Sequence, residues 1–164
     1  MGGAKCIVPV PGAFAPFWGA FMAGRGEDVS QRFYEATYFG DAEATADHLA
    51  ALVLEGTKRA TATLVWGLEH EGKRLPRPGD LSIVTNWARE PLCVIETQSV
   101  RVVPFDHVTE AFAAAEGEGD ASLSYWRDAH WAYYGRECLR IGREPAPWMP
   151  VVCEQFAVIY RSKG

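Results

Sequence analysis

Pro78-Gly79-Asp80 is a strong turn signal, and two β-prone runs follow it with no helical pattern between them. The first is Leu81-Ser82-Ile83-Val84-Thr85. The second, Leu92 to Val103, is rich in β-branched residues and closed by Pro104. Strands joined by turns rather than by helical crossovers favour antiparallel pairing. Ala60 to Trp66 reads as a further strand and Met149 to Arg161 as a closing one. Strands and helices do not alternate in a βαβ rhythm, so the chain is expected to be an α+β domain. Its sheet should be small, mostly antiparallel and curled towards a barrel, with helices packed around it. A length of 164 residues, 48% of them hydrophobic, suffices for one core and does not require two.

The helical segments have recognisable punctuation. Asp41 can cap a helix to about Glu55, where Leu49, Leu52 and Val53 form an apolar stripe and Gly56 supplies the stop. Asp106 can cap a helix through Ala115, with Phe105, Val108 and Phe112 facing inward. Ala121 to Tyr134 forms another, capped by Asp120, with Leu123, Trp126, His130 and Tyr133 near one stripe. Pro16 to Ala23 predicts a short helix. Glu27 to Phe39 can be helical or extended, and Gly67 to Arg77 reads as a charged loop. No charged residue occurs between Cys6 and Gly24, but prolines and glycines interrupt that stretch and Lys5 alone makes a poor leader, so it is expected to be an arm rather than a signal or membrane segment.

Composition narrows the partners. A net charge of −5 argues against a protein that coats duplex DNA through its overall field. A local basic groove could still draw on Lys58 and Arg59, on Lys73, Arg74 and Arg77, or on Arg136, Arg140 and Arg143. Aromatic residues make up 12% of the chain, enough to leave some rings for a cleft where a planar ligand stacks. Cys6, Cys93, Cys138 and Cys153 form no CxxC pair, which suits free thiols in a reducing cytoplasm. His48, His70, His107 and His130 show no metal-binding spacing, so no metal site is expected from the sequence.

Two stretches carry candidate chemistry. In Gly56-Thr57-Lys58-Arg59-Ala60-Thr61-Ala62-Thr63 a helix stop meets a strand, with a lysine three residues before a threonine. In Glu116-Gly117-Glu118-Gly119-Asp120 the glycines let the backbone bend sharply and leave the Glu118 carboxylate unshielded. Thr61 is a weak nucleophile without a base, and Lys58 can be that base only if its pKa falls well below ~10.4. Arg59 and desolvation act in that direction. Glu118 and the carbonyl end of the preceding helix act against it. If the ammonium persists, Lys58 becomes a stabiliser of an oxyanion or phosphate and Glu118 the better general base. Glu96 stands in the row Leu92, Val94, Glu96, Val100, Val102, where a carboxylate needs a partner, an outlet to water or a bulge that turns it outward.

Together these stretches resemble the ASCH superfamily, relatives of the PUA domain, and in particular its longer bacterial branch. The carrying residues are Tyr38-Phe39-Gly40-Asp41, Ala46-Asp47 to Leu49, Leu52-Val53-Leu54 to Gly56, Lys58 with Ala60-Thr61, and Pro78-Gly79-Asp80. They continue through Glu116-Gly117-Glu118-Gly119-Asp120, Ser122-Leu123, Trp126-Arg127, His130 and the strand Val151 to Tyr160. The resemblance implies a PUA-like domain over residues 37–164, with residues 1–36 as an arm and short helix packed on it. It also implies nucleic-acid-related chemistry, because the superfamily was proposed to bind RNA. Some members cleave single-stranded RNA, and shorter members hydrolyse the amide of N4-acylated cytidines with a lysine, a threonine three residues on and a loop glutamate. Those positions match Lys58, Thr61 and Glu118. The short members' G-x-K-x-x-T-x-R pattern ends in arginine, where this chain has Thr63.

The expectation is therefore a cytoplasmic hydrolase of an N4-acylcytidine-type nucleoside, with no cofactor. Lys58, Thr61 and Glu118 would be catalytic, and Glu96, Glu116, Ser122, Arg127, Trp126 and Arg59 would bind substrate. One alternative is a single-strand ribonuclease, the only version in which a divalent metal enters. The other is an RNA-binding module without catalysis.

Overall fold

The computed structural model describes residues 8–163. Five strands form one sheet: β1 (Phe33–Thr37), β2 (Ala60–Leu64), β3 (Leu81–Thr85), β4 (Pro91–Pro104) and β5 (Pro150–Arg161). Their order is β1-β3-β4-β5-β2. Only β1 and β3 run parallel, and every other neighbouring pair is antiparallel. The mixed α+β class and mostly antiparallel pairing match the expectation. The barrel does not close, because β1 and β2 remain edges. The sheet nevertheless curls. In a flat sheet β1 and β2 would stand about 19 Å apart, four strand spacings of ~4.8 Å, yet both line one cleft. Bulges between Val94 and Ile95 and between Thr97 and Ser99 help bend the two long strands.

Five helices cover the sheet: α1 (Ala15–Ala23), α2 (Glu43–Glu55), α3 (Val65–His70), α4 (Glu110–Glu116) and α5 (Leu123–Ile141). Helix α1 places Trp18 and Phe21 with Phe14, Val29 and Phe33 against Leu81, Ile83 and Val94 of the sheet. The stretch left open between helix and strand resolves into a 3-10 turn at Ser30–Arg32 followed by β1. The boundary expected between residues 36 and 37 falls inside that strand. Cys6 and Lys5 lie outside the described residues. Cys93, Cys138 and Cys153 are free and buried. No helix among the described residues is long and apolar enough to cross a membrane.

Several local expectations need correction. The strand from Ala60 ends at Leu64 rather than Trp66, and the expected loop begins as helix α3, with Trp66 and Leu68 turned into the core. Helix α2 begins after Ala42 with no side-chain cap, because Asp41 is engaged by Arg136 (Nε to Oδ2, 2.7 Å). Asp106 sits in a 3-10 turn, and Thr109 caps α4 by accepting from the Phe112 amide. Ser122, not Asp120, caps α5, while Asp120 accepts from the Ser122 amide and shapes the entry turn. Helix α5 runs on to Ile141, about two turns beyond the expected end at Tyr134. The bulges in β4 break its alternation, so Cys93, Val94 and Ile95 are all buried and Glu96 is only partly so.

A candidate active-site cleft between the two edge strands

Glycine at two points allows the halves of this site to meet. Gly56 ends α2 in the left-handed conformation, which turns the chain so that Lys58 points inward. Gly117, with φ +67°, packs so closely on Thr57 that a Cβ there would lie 2.3 Å from the Thr57 carbonyl oxygen. A backbone bond from the Arg59 amide to the Ala115 carbonyl, 2.8 Å, fixes the same junction. The octet after α2 and the acidic loop after α4 are thus held face to face.

Lys58 is 1% exposed and its ammonium donates to three acceptors. They are the Ala60 carbonyl at 2.7 Å, Glu116 Oε2 at 3.0 Å and Glu118 Oε1 at 2.9 Å. The Phe39 ring lies beneath it, its centroid 5.1 Å away. Glu116, equally buried, also accepts from Trp126 Nε1 at 3.2 Å. His130 stacks on Trp126 with centroids 4.1 Å apart. Its Nδ1 donates to the Trp126 carbonyl at 2.9 Å, leaving Nε2 3.6 Å from Glu116 Oε1.

Charge in this cluster is unequally shared. Burial pushes the Lys58 pKa down, but Glu116 and Glu118 outweigh it and hold the ammonium above its usual range. Burial pushes the Glu116 carboxyl up, and Lys58 and His130 pull it below its usual range. For Glu118, burial together with the neighbouring Glu116 charge overcomes Lys58, and its carboxyl is pushed up to about 7. Burial lowers the His130 pKa despite the nearby Glu116 carboxylate. The resulting site is a fixed cation, a fixed carboxylate and a second carboxyl that exchanges a proton near neutrality.

The cleft in front of this cluster encloses about 800 Å³. Lys58, Thr61, Glu116 and Glu118 all line it. Thr61, Ala62, Thr63 and Leu64 of β2 all line the cleft, and Ala60, Ala62 and Leu64 also pack on the core. The Thr61 hydroxyl is not among the partners of Lys58 or Glu118. Trp126 stands behind Glu116 rather than in the cleft.

Other expected residues lie elsewhere. Arg59 is exposed, and its backbone joins α4 to β5 through the Ala115 carbonyl and the Phe156 amide. Glu96 pairs with Arg32 and accepts from Gln98. Ser122 is the α5 cap, and Arg127 is exposed on that helix. None of these four lines the cleft.

The rings lining the cleft belong to Tyr34, Tyr38, Phe39, Tyr125, Tyr133 and Tyr134; no tryptophan takes part. The buried Tyr134 hydroxyl has no hydrogen-bond partner among the described residues. Sequence reading missed Glu154 as a cleft residue and gave His130 no role in the site. His130 could have been flagged by its place four residues after Trp126 on the inward stripe of a helix. Glu154 shows the signal applied to Glu96, a carboxylate in an apolar strand, and it is the one that is buried. Glu116, Glu118 and His130 present ligand atoms within 4.8 Å of one another, a spacing that could suit a metal. The Lys58 ammonium, bonded to both carboxylates, already supplies positive charge there.

Comparison with known proteins gives the lineage. The family model for the ASCH domain matches residues 35–160. The chain is similar to the crystal structure of an ASCH domain from Lactobacillus crispatus JV V101, with 38% identity and a TM-score of 0.82, over 89% of this chain and 93% of that one. It is also similar to a protein of Enterococcus faecalis V583, with 29% identity and a TM-score of 0.82, over 89% of this chain and 87% of that one. No functionally curated protein matches it. The match over most of the chain, together with these solved structures, shows that the chain belongs to the ASCH domain family.

Proposed function

We propose that the cleft hydrolyses the amide of an N4-acylated cytidine-type nucleoside. The observation that carries this reading is the buried Lys58 ammonium bonded to Glu118, a carboxyl pushed up to about 7, in a cleft that Thr61 also lines. Thr61 Oγ1 attacks the amide carbon while Glu118 takes its proton, and the oxyanion of the tetrahedral intermediate is stabilised by the charge of Lys58. Glu118 then returns the proton to the N4 nitrogen as the C–N bond breaks, releasing cytidine and leaving an acyl ester on Thr61. Water, deprotonated by Glu118, cleaves that ester and restores the hydroxyl. Lys58 acts as a cation throughout, because the two carboxylates hold its proton. The Thr61 hydroxyl must swing towards Glu118 when substrate binds, since no bond joins them in the free protein.

Charge at the cleft favours an uncharged nucleoside over RNA. Glu35, Asp41, Glu71, Glu116, Glu118, Glu137 and Glu154 line it, against Lys58, Lys73 and Arg136. Each of those cations is already paired, Lys73 with Glu35 and Arg136 with Asp41. A polyanion would meet little free positive charge there. The test is incubation with N4-acetylcytidine, following cytidine release. Turnover that disappears in Lys58→Ala and Glu118→Gln is expected. Absence of turnover, combined with Lys58-dependent cleavage of unstructured RNA, would replace this reading with the ribonuclease.

A further inference from the structure

A second acidic site lies on the floor of the same cleft, one strand away from Thr61. Glu154 of β5 is paired in register with Thr61 of β2, so both side chains rise from the same face of the sheet. The Glu154 carboxyl is directed the other way, towards β4, where Oε1 accepts a 2.5 Å bond from the Thr97 hydroxyl. Thr97 stands two strands across from Thr61 and pairs with Phe156, two residues along β5 from Glu154, so it lies farther from Thr61 than the ~10 Å of two strand spacings alone. Glu154 is only 8% exposed, yet among the described residues its Oε2 receives no hydrogen bond. Glu154 lines the cleft. With no protein donor on it, that oxygen keeps its acceptor capacity for a donor that arrives through the cleft.

The two acidic sites are electrostatically separate. The charges that act on Lys58 are those of Glu116 and Glu118, whereas those that act on Glu154 are Glu35, Asp80 and Lys73. Burial, reinforced by Glu35 and Asp80, pushes the Glu154 carboxyl up to about 7, which marks a desolvated position. Thr97 and Lys73 oppose that rise.

The chemistry of a cytidine fits this spacing. C4, which carries the amide nitrogen, and N1, which carries the sugar, lie across the pyrimidine ring from one another. With the amide held at Thr61 and Glu118, the sugar emerges on the far side of the base. Vicinal ribose hydroxyls are donors that a carboxylate recognises well, as the acidic residue of dinucleotide-binding folds does.

We propose that Glu154, anchored by Thr97, accepts a hydrogen bond from the ribose of the bound nucleoside and so selects ribonucleosides over 2′-deoxyribonucleosides. This rests on the nucleoside reading given above. Glu154 is a binding residue, with no part in breaking the amide.

The experiment is calorimetric titration of the full chain with cytidine and with 2′-deoxycytidine, for the wild type, Glu154→Gln and Thr97→Val, alongside turnover of N4-acetylcytidine. The wild type is expected to bind cytidine about tenfold more tightly than the deoxynucleoside, the size of one hydrogen bond to a charged group. Glu154→Gln should bring that ratio close to one, and Thr97→Val should lower it part of the way. For N4-acetylcytidine turnover, Glu154→Gln should raise KM and leave kcat within about twofold, as expected when binding shared by ground and transition states is removed. Equal wild-type affinity for the two nucleosides overturns the inference. So does a ratio unchanged in a folded Glu154→Gln, or no saturable binding of either nucleoside. Discriminating binding without any turnover would leave the inference standing and remove the amidohydrolase reading.

Discussion

Lys58 has three protons to donate and the protein supplies three acceptors. Its removal therefore strands two neighbouring buried carboxyls. In Lys58→Met a loss of about 3–5 kcal/mol is expected at pH 8, where both groups tend to ionise. The loss should shrink towards pH 5, as Glu116 and Glu118 take up protons. Denaturant unfolding at the two pH values measures this, and an equal loss at both would show that the cation does not hold the pair together. Glu118 sets the second expectation at this scale. Its carboxyl, raised from an ordinary 4.5 to about 7, accepts a proton only above that value. The kcat/KM for amide hydrolysis should thus rise with pH through about 7 and level off above it. A profile flat from pH 6 to 8 would exclude Glu118 as the base. Lys58 and Glu118 were picked out by the helix stop at Gly56, by the glycines on either side of Glu118 and by the resemblance to the ASCH superfamily. The contest over the Lys58 proton was not, since it depended on Glu116 turning inward, which only the packing of α4 on β2 determines. Glu96 and Glu154 show the same limit. Each interrupts an apolar strand, and only the β4 bulges and the pairing with Arg32 decide that Glu96 faces away from the cleft.

At the scale of elements, the site depends on the approach of the α4–α5 loop to the end of α2. Gly117→Ala would force a Cβ to within 2.3 Å of the Thr57 carbonyl in a conformation that side chains rarely adopt. The loop must then retreat and carry Glu118 away from Lys58. The expected result is destabilisation of more than about 1 kcal/mol with loss of amide hydrolysis. Gly26→Ala is the control: the same positive φ, but nothing within 4 Å of the new Cβ, so strain without displacement of the site. Thermal unfolding and turnover of both variants check the pair, and normal turnover in Gly117→Ala would refute the dependence. The elements themselves were largely legible, with β3, β4, β5, α1 and α2 lying close to where their patterns put them. The misplaced caps share one cause. Asp41, Asp106 and Asp120 each stand beside the true helix start, and tertiary partners or the neighbouring Thr109 and Ser122 decide which residue caps. Helix α3 was hidden because its Trp66 and Leu68 pack well on a core from either a strand or a helix.

Seen whole, the molecule folds one curled sheet around an acidic cleft, and that curl brings two edge strands at opposite ends of the hydrogen-bonding order to a single cavity. The turn-linked strands made a mostly antiparallel sheet legible. The open edges were not, because closure depends on how far the bulges bend β4 and β5. The net charge of −5 argued against an overall basic surface, and the paired cations at the cleft now extend that argument to the local groove. Neutral ligands release no counterions on binding, whereas RNA held through its phosphates loses affinity linearly in log K against log salt. Cytidine affinity is therefore expected to change by less than about twofold between dilute buffer and half-molar salt, where exposed charges are screened beyond a few ångströms. An unstructured RNA oligomer should bind no more tightly than the nucleoside at any salt concentration. Titrating both ligands across that range decides between the two kinds of site. A steep salt dependence, with RNA preferred, would mean that phosphates find cations outside the cleft, and that the acidic cavity is not where recognition begins.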